Sequence, residues 1–407
     1  MTVDADALST VTVTAWRRAA FAMFAVGWGA NHFTALLPVY RRTLGLPDTT
    51  LTAIFGVYLF GLAPGLLLGG PISDRYGRRP VLLVSVGLSL VGSLVLIAGT
   101  RGVTGLYAGR LLTGVAAGGT FAAGSAWVKE LSARADEGAG ARRAAISLSA
   151  GFGSGPLVAG LLAQWGPMPT VLPYLLHIAL AVSALAVLRR APETVGEGVV
   201  GTQGRLLTWR RVSAASSPRF VHVVLPMAPW VFGCATIAFA VLPARVAAHV
   251  GHVPIAFAGA IAALTLGAGI VVQPLARRLD SAGNGRGMAA GLGVAALGCI
   301  VGAAATATSN PVIVAVAALV LGSAYGLCLV SGLREVERLA APSDLAGLVA
   351  VYYVLAYGGF AAPYLLALLA PALGYPSVLL MTALLATVTL LLVLIQAKRL
   401  IPSIPQQ

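Results

Sequence analysis

Twelve long apolar runs, separated by short polar ones, fill almost the whole chain. They lie at 19–40, 50–73, 80–99, 105–128, 144–165, 171–189, 220–243, 254–276, 287–306, 311–333, 345–369 and 374–397. Each is close to the ~20 residues that a helix needs to cross the hydrocarbon core of a bilayer. The longest polar interruption, at 191–218 from Pro192 to Pro218, divides the runs six and six. Its Gly-rich and basic parts read as a linker. The pattern predicts an all-α membrane protein of twelve transmembrane helices in two six-helix bundles. The expected bundles are 1–190 and 219–407, joined by a cytoplasmic linker at 191–218.

Composition supports this and closes other routes. The chain is 58% hydrophobic and 10% charged, with mean hydropathy +0.89. Soluble domains run at about 45–50% apolar and about 25% charged. A net charge of +14 would suit a nucleic-acid partner, but the basic residues stand in short clusters between apolar runs. Cys234, Cys299 and Cys328 all lie inside apolar runs, which argues against a disulfide framework and a metal site. Residues 1–15 are polar and the first apolar run is long enough to stay in the membrane, so no cleaved signal peptide is expected. Arginine outnumbers lysine 25 to 2, which reads as the codon bias of a high-GC bacterium.

The basic residues also orient the helices. With the N-terminus inside, 22 of the 27 lie in inside segments, four lie outside, and Arg110 is within a run. That excess predicts cytoplasmic termini in a bacterial inner membrane. The halves echo each other: Gly70–Arg75 aligns with Gln273–Arg278 at an offset of 203, and Pro156 with Pro363 at 207. A duplicated six-helix unit is a transporter architecture, with the substrate site near mid-membrane.

The most informative stretch is Gly70-Pro71-Ile72-Ser73-Asp74-Arg75-Tyr76-Gly77-Arg78-Arg79. Gly77 permits a sharp turn, the arginines mark a cytoplasmic face, and an acid at the membrane edge needs a partner. The pattern G-x-x-x-D-R-x-G-R-R resembles the loop between helices 2 and 3 of the major facilitator superfamily. The resemblance implies a conformational latch made of Gly70, Asp74, Arg75, Gly77, Arg78 and Arg79. Asp74 is expected to face the start of span 11, at Pro342-Ser343-Asp344, with Ser343 as its cap. Arg75 is expected to pair with Glu130, Asp136 or Glu137. A loop that only binds lipid phosphates is the alternative.

Further runs carry the resemblance along the chain. Gly151, Gly155, Pro156 and Gly160 in span 5 resemble the G-P-x-x-G-G motif of drug–proton antiporters, with Ala159 replacing a glycine. The resemblance implies export; close helix packing is the alternative, and Gly61, Gly65 and Gly69 show the same spacing. Arg110-Leu111-Leu112-Thr113-Gly114 resembles the family's R-x-x-x-G motif, which implies a part in proton coupling. The alternative is an arginine snorkelling to the outer headgroups. Pro192-Glu193-Thr194 resembles a short family signature after span 6. In the family, spans 1, 4, 7 and 10 line the cavity. This makes Phe24, Trp28, Asn31, His32, Trp230, Phe239 and Tyr325 the cavity candidates, with aromatic packing as the alternative. His177 and His222 are placed toward the inner half without a role.

All 13 acids lie in tails, loops or span edges. Many proton-coupled relatives of the resembled group use an acid buried in the membrane. Here His32 replaces it, or an edge acid such as Asp74 or Glu130 carries the proton, or there is no proton coupling. The same gap favours a neutral or weakly anionic lipophile, met by Arg110, over a strong cation. No helix carries a metal-ligand cluster or a placeable Ser/His/Asp set, and there is no Walker-type phosphate loop. The sequence thus predicts no enzyme, no cofactor and no metal. It predicts a monomeric proton-coupled exporter of a small amphipathic molecule. A facilitator or importer, or a silent scaffold or receptor on the same fold, remains open.

Overall fold

The computed structural model describes residues 14–99, 102–136, 138–195, 213–280, 285–341 and 344–399. Among them all regular structure is helical. The helices are α1 (Trp16–Leu44), α2 (Asp48–Tyr76), α3 (Arg78–Ala98), α4 (Val103–Glu130), α5 (Ala139–Trp165), α6 (Leu172–Leu188), α7 (Phe220–Arg245), α8 (Pro254–Leu279), α9 (Arg286–Thr308), α10 (Pro311–Leu339), α11 (Gly347–Leu373) and α12 (Tyr375–Ala397). Eleven are long and apolar enough to cross a membrane; α6 is a shorter apolar helix. Each coincides with one of the twelve apolar runs.

Proline explains three of the six irregular turns among the described residues. A proline lacks an N–H and its ring crowds the carbonyl four residues earlier. Pro226 and Pro243 thus act on His222 and Phe239, and α7 widens into π-turns at Phe220–Val224 and Ile237–Val241. Pro363 acts on Gly359, where α11 tightens into a 3₁₀ turn at Gly358–Ala361.

Residue contacts divide the chain into two compact units. One comprises Met1–Leu46 and Val57–Thr208; the other comprises Pro47–Gly56 and Trp209–Gln407. The sequence reading groups all of α2 with the first bundle, whereas the contacts put residues 47–56 in the second unit. Side chains account for this. Arg245 Nη2 meets Asp48 Oδ2 at 2.6 Å, and Tyr375 donates its hydroxyl to the same oxygen at 3.0 Å. Phe55 stacks on Phe360 with ring centroids 5.1 Å apart.

Within each unit, helices meet across glycine. A Cβ on Gly65 of α2 would stand 2.6 Å from the Val115 carbonyl of α4, and one on Gly61 or Gly114 would strike the opposite backbone. In the second unit, Gly322 and Gly326 of α10 press in the same way on Thr265 and Gly269 of α8. With lipid on the outside, such close approach supplies van der Waals contact that hydrophobicity cannot.

Candidate functional site

The charged decapeptide ends α2 and starts α3. Gly77 joins them at φ +100°, where a side chain would be strained. That turn sends Arg78 back along α2. Its guanidinium reaches Asp74 Oδ1 at 2.5 Å and donates to Ser73 Oγ at 2.6 Å. It also donates to Glu130 Oε1, at the end of α4, at 2.7 Å. Arg78, rather than Arg75, therefore takes Glu130, because Arg75 precedes the turn and Arg78 follows it. The Arg75 guanidinium lies over the Tyr76 ring, 5.5 Å from its centroid. Of its other expected partners, Glu137 lies outside the described residues. So do Pro342 and Ser343, where Asp74 was expected to be met.

Glu193, five residues past the end of α6, completes the knot. It accepts from the backbone N–H of Arg78 at 3.0 Å and of Arg79 at 2.9 Å, two of the orphan donors at the start of α3. Burial raises its hold on a proton. The N–H groups of Arg79, Val195, Arg78 and Thr194 outweigh that and keep its pKa below the ordinary value of 4.5. Thr194 donates its hydroxyl to Glu130, and Trp127 Nε1 donates to the Pro192 carbonyl at 3.2 Å. Pro192-Glu193-Thr194 thus braces α3 and α4.

Deeper in the first unit lies a polar cluster with aromatic walls. Arg110 is 1% exposed, so it does not snorkel. Its guanidinium sits 4.5 Å from the Tyr58 ring centroid and 4.8 Å from that of Phe33, and donates to the Ala30 carbonyl at 3.0 Å. Such contacts stabilise a desolvated guanidinium. Tyr40 and Tyr174 share a 2.6 Å hydrogen bond beside it. His32 is fully buried, and neither ring nitrogen has a hydrogen-bond partner among the described residues. Its ring lies 5.1 Å from that of Trp28, 4.7 Å from Tyr174 and 5.5 Å from His177.

His177 is therefore a neighbour of His32, not a residue of a different level. Its Nδ1 is 2.7 Å from Ser93 Oγ and its ring lies parallel to Trp28. Ser85, Ser89 and Ser93, all buried at four-residue spacing on α3, are the signal in the sequence that points to it. Trp28 and Asn31 are buried, and Phe24 packs beside Trp28 and Ala159.

The α5 motif sits directly behind. A Cβ on Gly155 would stand 2.6 Å from the Trp28 carbonyl, and one on Gly151 would strike that of Phe24. Pro156 and Gly160 are buried on the same helix.

The remaining cavity candidates belong to the second unit. Tyr325 packs on Phe232, rings 5.6 Å apart, and Phe239 stands edge-on to Phe55 at 6.2 Å. Trp230 is buried in α7. Phe232, stacked on Tyr357 at 4.1 Å, is the centre of that aromatic group and was not singled out by sequence. The second unit also holds a charge cluster in which Arg219, Glu335 and Asp280 are buried and Arg338 is exposed. Arg219 pairs with Glu335, Arg338 meets the same carboxylate at 3.3 Å, and Asp280 Oδ1 accepts from the Gly287 N–H at 3.0 Å.

Comparison with known proteins gives a consistent picture. The family model described as Major Facilitator Superfamily matches residues 19–354. Multidrug resistance protein MdtL of Klebsiella pneumoniae is 33% identical over 93 residues, 23% of this chain and 24% of the relative. Its counterpart in Salmonella newport is 34% identical over 93 residues, 23% of each chain. The match thus spans about a quarter of these relatives. Among solved structures, the nucleoside transporter NupG superposes with TM-score 0.74 at 14% identity, over 95% of this chain and 99% of its own. A POT family transporter in complex with a thioalcohol-conjugated peptide gives 0.77 at 14%, over 95% and 96%. At such identities the likeness is one of fold.

Proposed function

Because the chain belongs to the Major Facilitator Superfamily, and is a membrane transporter rather than an enzyme, we propose that it exports a small amphipathic molecule by alternating access with proton antiport. The setting is a bacterial inner membrane with both termini cytoplasmic, and the working unit is a monomer. One observation carries the reading. The antiporter-like run Gly151–Pro156 is seated on the Phe24–Trp28 backbone of α1, the helix that bears the aromatic and histidine candidates. That seat sets where Trp28 and His32 stand. The names of the MdtL relatives support drug-like cargo.

The polar cluster suits a neutral or weakly anionic lipophile. Arg110, Tyr40, Tyr58 and Tyr174 supply donors, and Trp28 and Phe33 supply flat apolar walls. His32, stacked on His177, is the proton carrier in this reading, since both of its ring nitrogens are buried without a hydrogen-bond partner among the described residues. The groups facing the pair are Arg110 from α4, Tyr174 from α6, and Ser89 and Ser93 from α3, with Tyr40 of α1 hydrogen-bonded to Tyr174 behind them.

The test uses proteoliposomes with a lumenal pH dye, a lipophile panel and an imposed pH gradient. Neutral or anionic compounds are expected to drive proton flux, and His32→Ala to flatten its pH profile. An unchanged profile removes His32 as carrier. Substrate movement without proton flux marks a facilitator, and strict preference for cations overturns the substrate class.

A further inference from the structure

At the start of α1 and the end of α6 lies a groove of about 240 Å³ lined by Arg18, Ala186, Val187 and Arg190. We propose that this groove binds one anionic phospholipid, its phosphate between the guanidinium groups of Arg18 and Arg190 and an acyl chain along α6. The argument combines charge with an apolar track. Arg18 is set in place by donating to the Arg190 carbonyl, two residues past the end of α6. Arg190 uses only its backbone in that bond, so its side chain serves the groove wall.

The track begins where the charge stops. Ala186 and Val187 form the apolar wall, and Val182 and Leu175 continue along α6, 52% and 44% exposed. An exposed apolar stripe on a membrane helix faces acyl chains. A free phosphate has no use for it, whereas a phospholipid uses both parts. Nearby, Trp16 lies beneath two arginines, with Arg143 at 4.3 Å and Arg17 at 5.8 Å from its ring. A tryptophan so flanked marks the headgroup level. The sequence reading puts this end in the cytoplasmic leaflet, where anionic lipid attracts arginine.

The test is native mass spectrometry of the full chain with phosphatidylglycerol or phosphatidylcholine added at equal concentration. One phosphatidylglycerol is expected to be retained in preference to phosphatidylcholine. Arg190→Ala is expected to weaken it about fivefold, and Val187→Asp to abolish it by charging the track. Arg189→Ala, one residue outside the lining, is expected to leave binding unchanged and serves as the folding control. Equal loss in Arg189→Ala overturns the site in favour of a diffuse basic belt. Equal retention of phosphatidylcholine removes the charge requirement. Competition by millimolar inorganic phosphate shows a phosphate site without the lipid track.

Discussion

Each unit carries a charged knot, the first at the turn between α2 and α3 and the second where the start of α7 meets the end of α10, and the two are built differently. In the first unit, Arg78 joins Asp74 and Glu130, whose side chains are 63% and 36% exposed. In the second, Glu335 is 1% exposed and holds both Arg219 and Arg338, while Asp280 is equally buried. Exposed ion pairs are screened and rearrange readily. A desolvated charge network resists loss of any member. The first knot is therefore suited to being made and broken, and the second to holding its helices in one arrangement.

The largest test of that contrast is Glu335→Gln. It strips the shared carboxylate from Arg219 and Arg338, and a loss of about 3–5 kcal/mol is expected, read as a large drop in melting temperature in detergent. A small drop would place the second knot with the first.

Gly287→Ala comes next. Its Cβ would strike Asp280 Oδ2 and Ser331 Oγ, and overpacking there is expected to destabilise by about 1–3 kcal/mol. Unchanged melting would mean that the buried knot gives way easily.

Third is the pH dependence of the first knot. Glu193 has its folded pKa below the ordinary value of 4.5. Its contribution is present above that value and is lost as pH falls toward and through the folded pKa. Thermal stability of the native chain is thus expected to fall more steeply below pH 4.5 than that of Glu193→Gln. Parallel curves would remove Glu193 as a brace.

The smallest effect on stability is expected for Asp74→Asn, about 0–1 kcal/mol. Transport, by contrast, is expected to fall with insertion intact. Full transport would leave the exposed knot without a latch function.

The apolar runs made the twelve helices legible, because length and hydropathy suffice for a span. The decapeptide and its Gly77 turn were legible for a similar reason: charge between apolar runs is conspicuous. Rotation about each helix axis was not. In a membrane, the face toward lipid and the face toward protein are both apolar, so periodicity does not say which side of α6 meets α1. His177 was assigned to the wrong level along α6, and the choice of Arg78 over Arg75 for Glu130 turned on how the Gly77 bend redirects the chain, which charge pattern alone does not show. The need of Arg110 for partners was visible; that aromatic faces meet it was not. Asp280 and Glu335 read as ordinary edge acids, since burial at a helix end depends on how neighbouring helices cover it.

The glycine seams between α2 and α4, and between α8 and α10, have a consequence in heredity. Any amino-acid replacement of a glycine enlarges it, and where Gly61, Gly114 or Gly322 touches opposing backbone, no lesser side chain exists to retreat to. Compensation must come from the facing helix, whose backbone at Leu111 and Tyr58 stands directly against Gly61 and Gly114. Such codons can drift only through silent third-position changes. Apolar positions facing lipid, such as Val271 or Leu384, are free to exchange among aliphatic residues from one generation to the next.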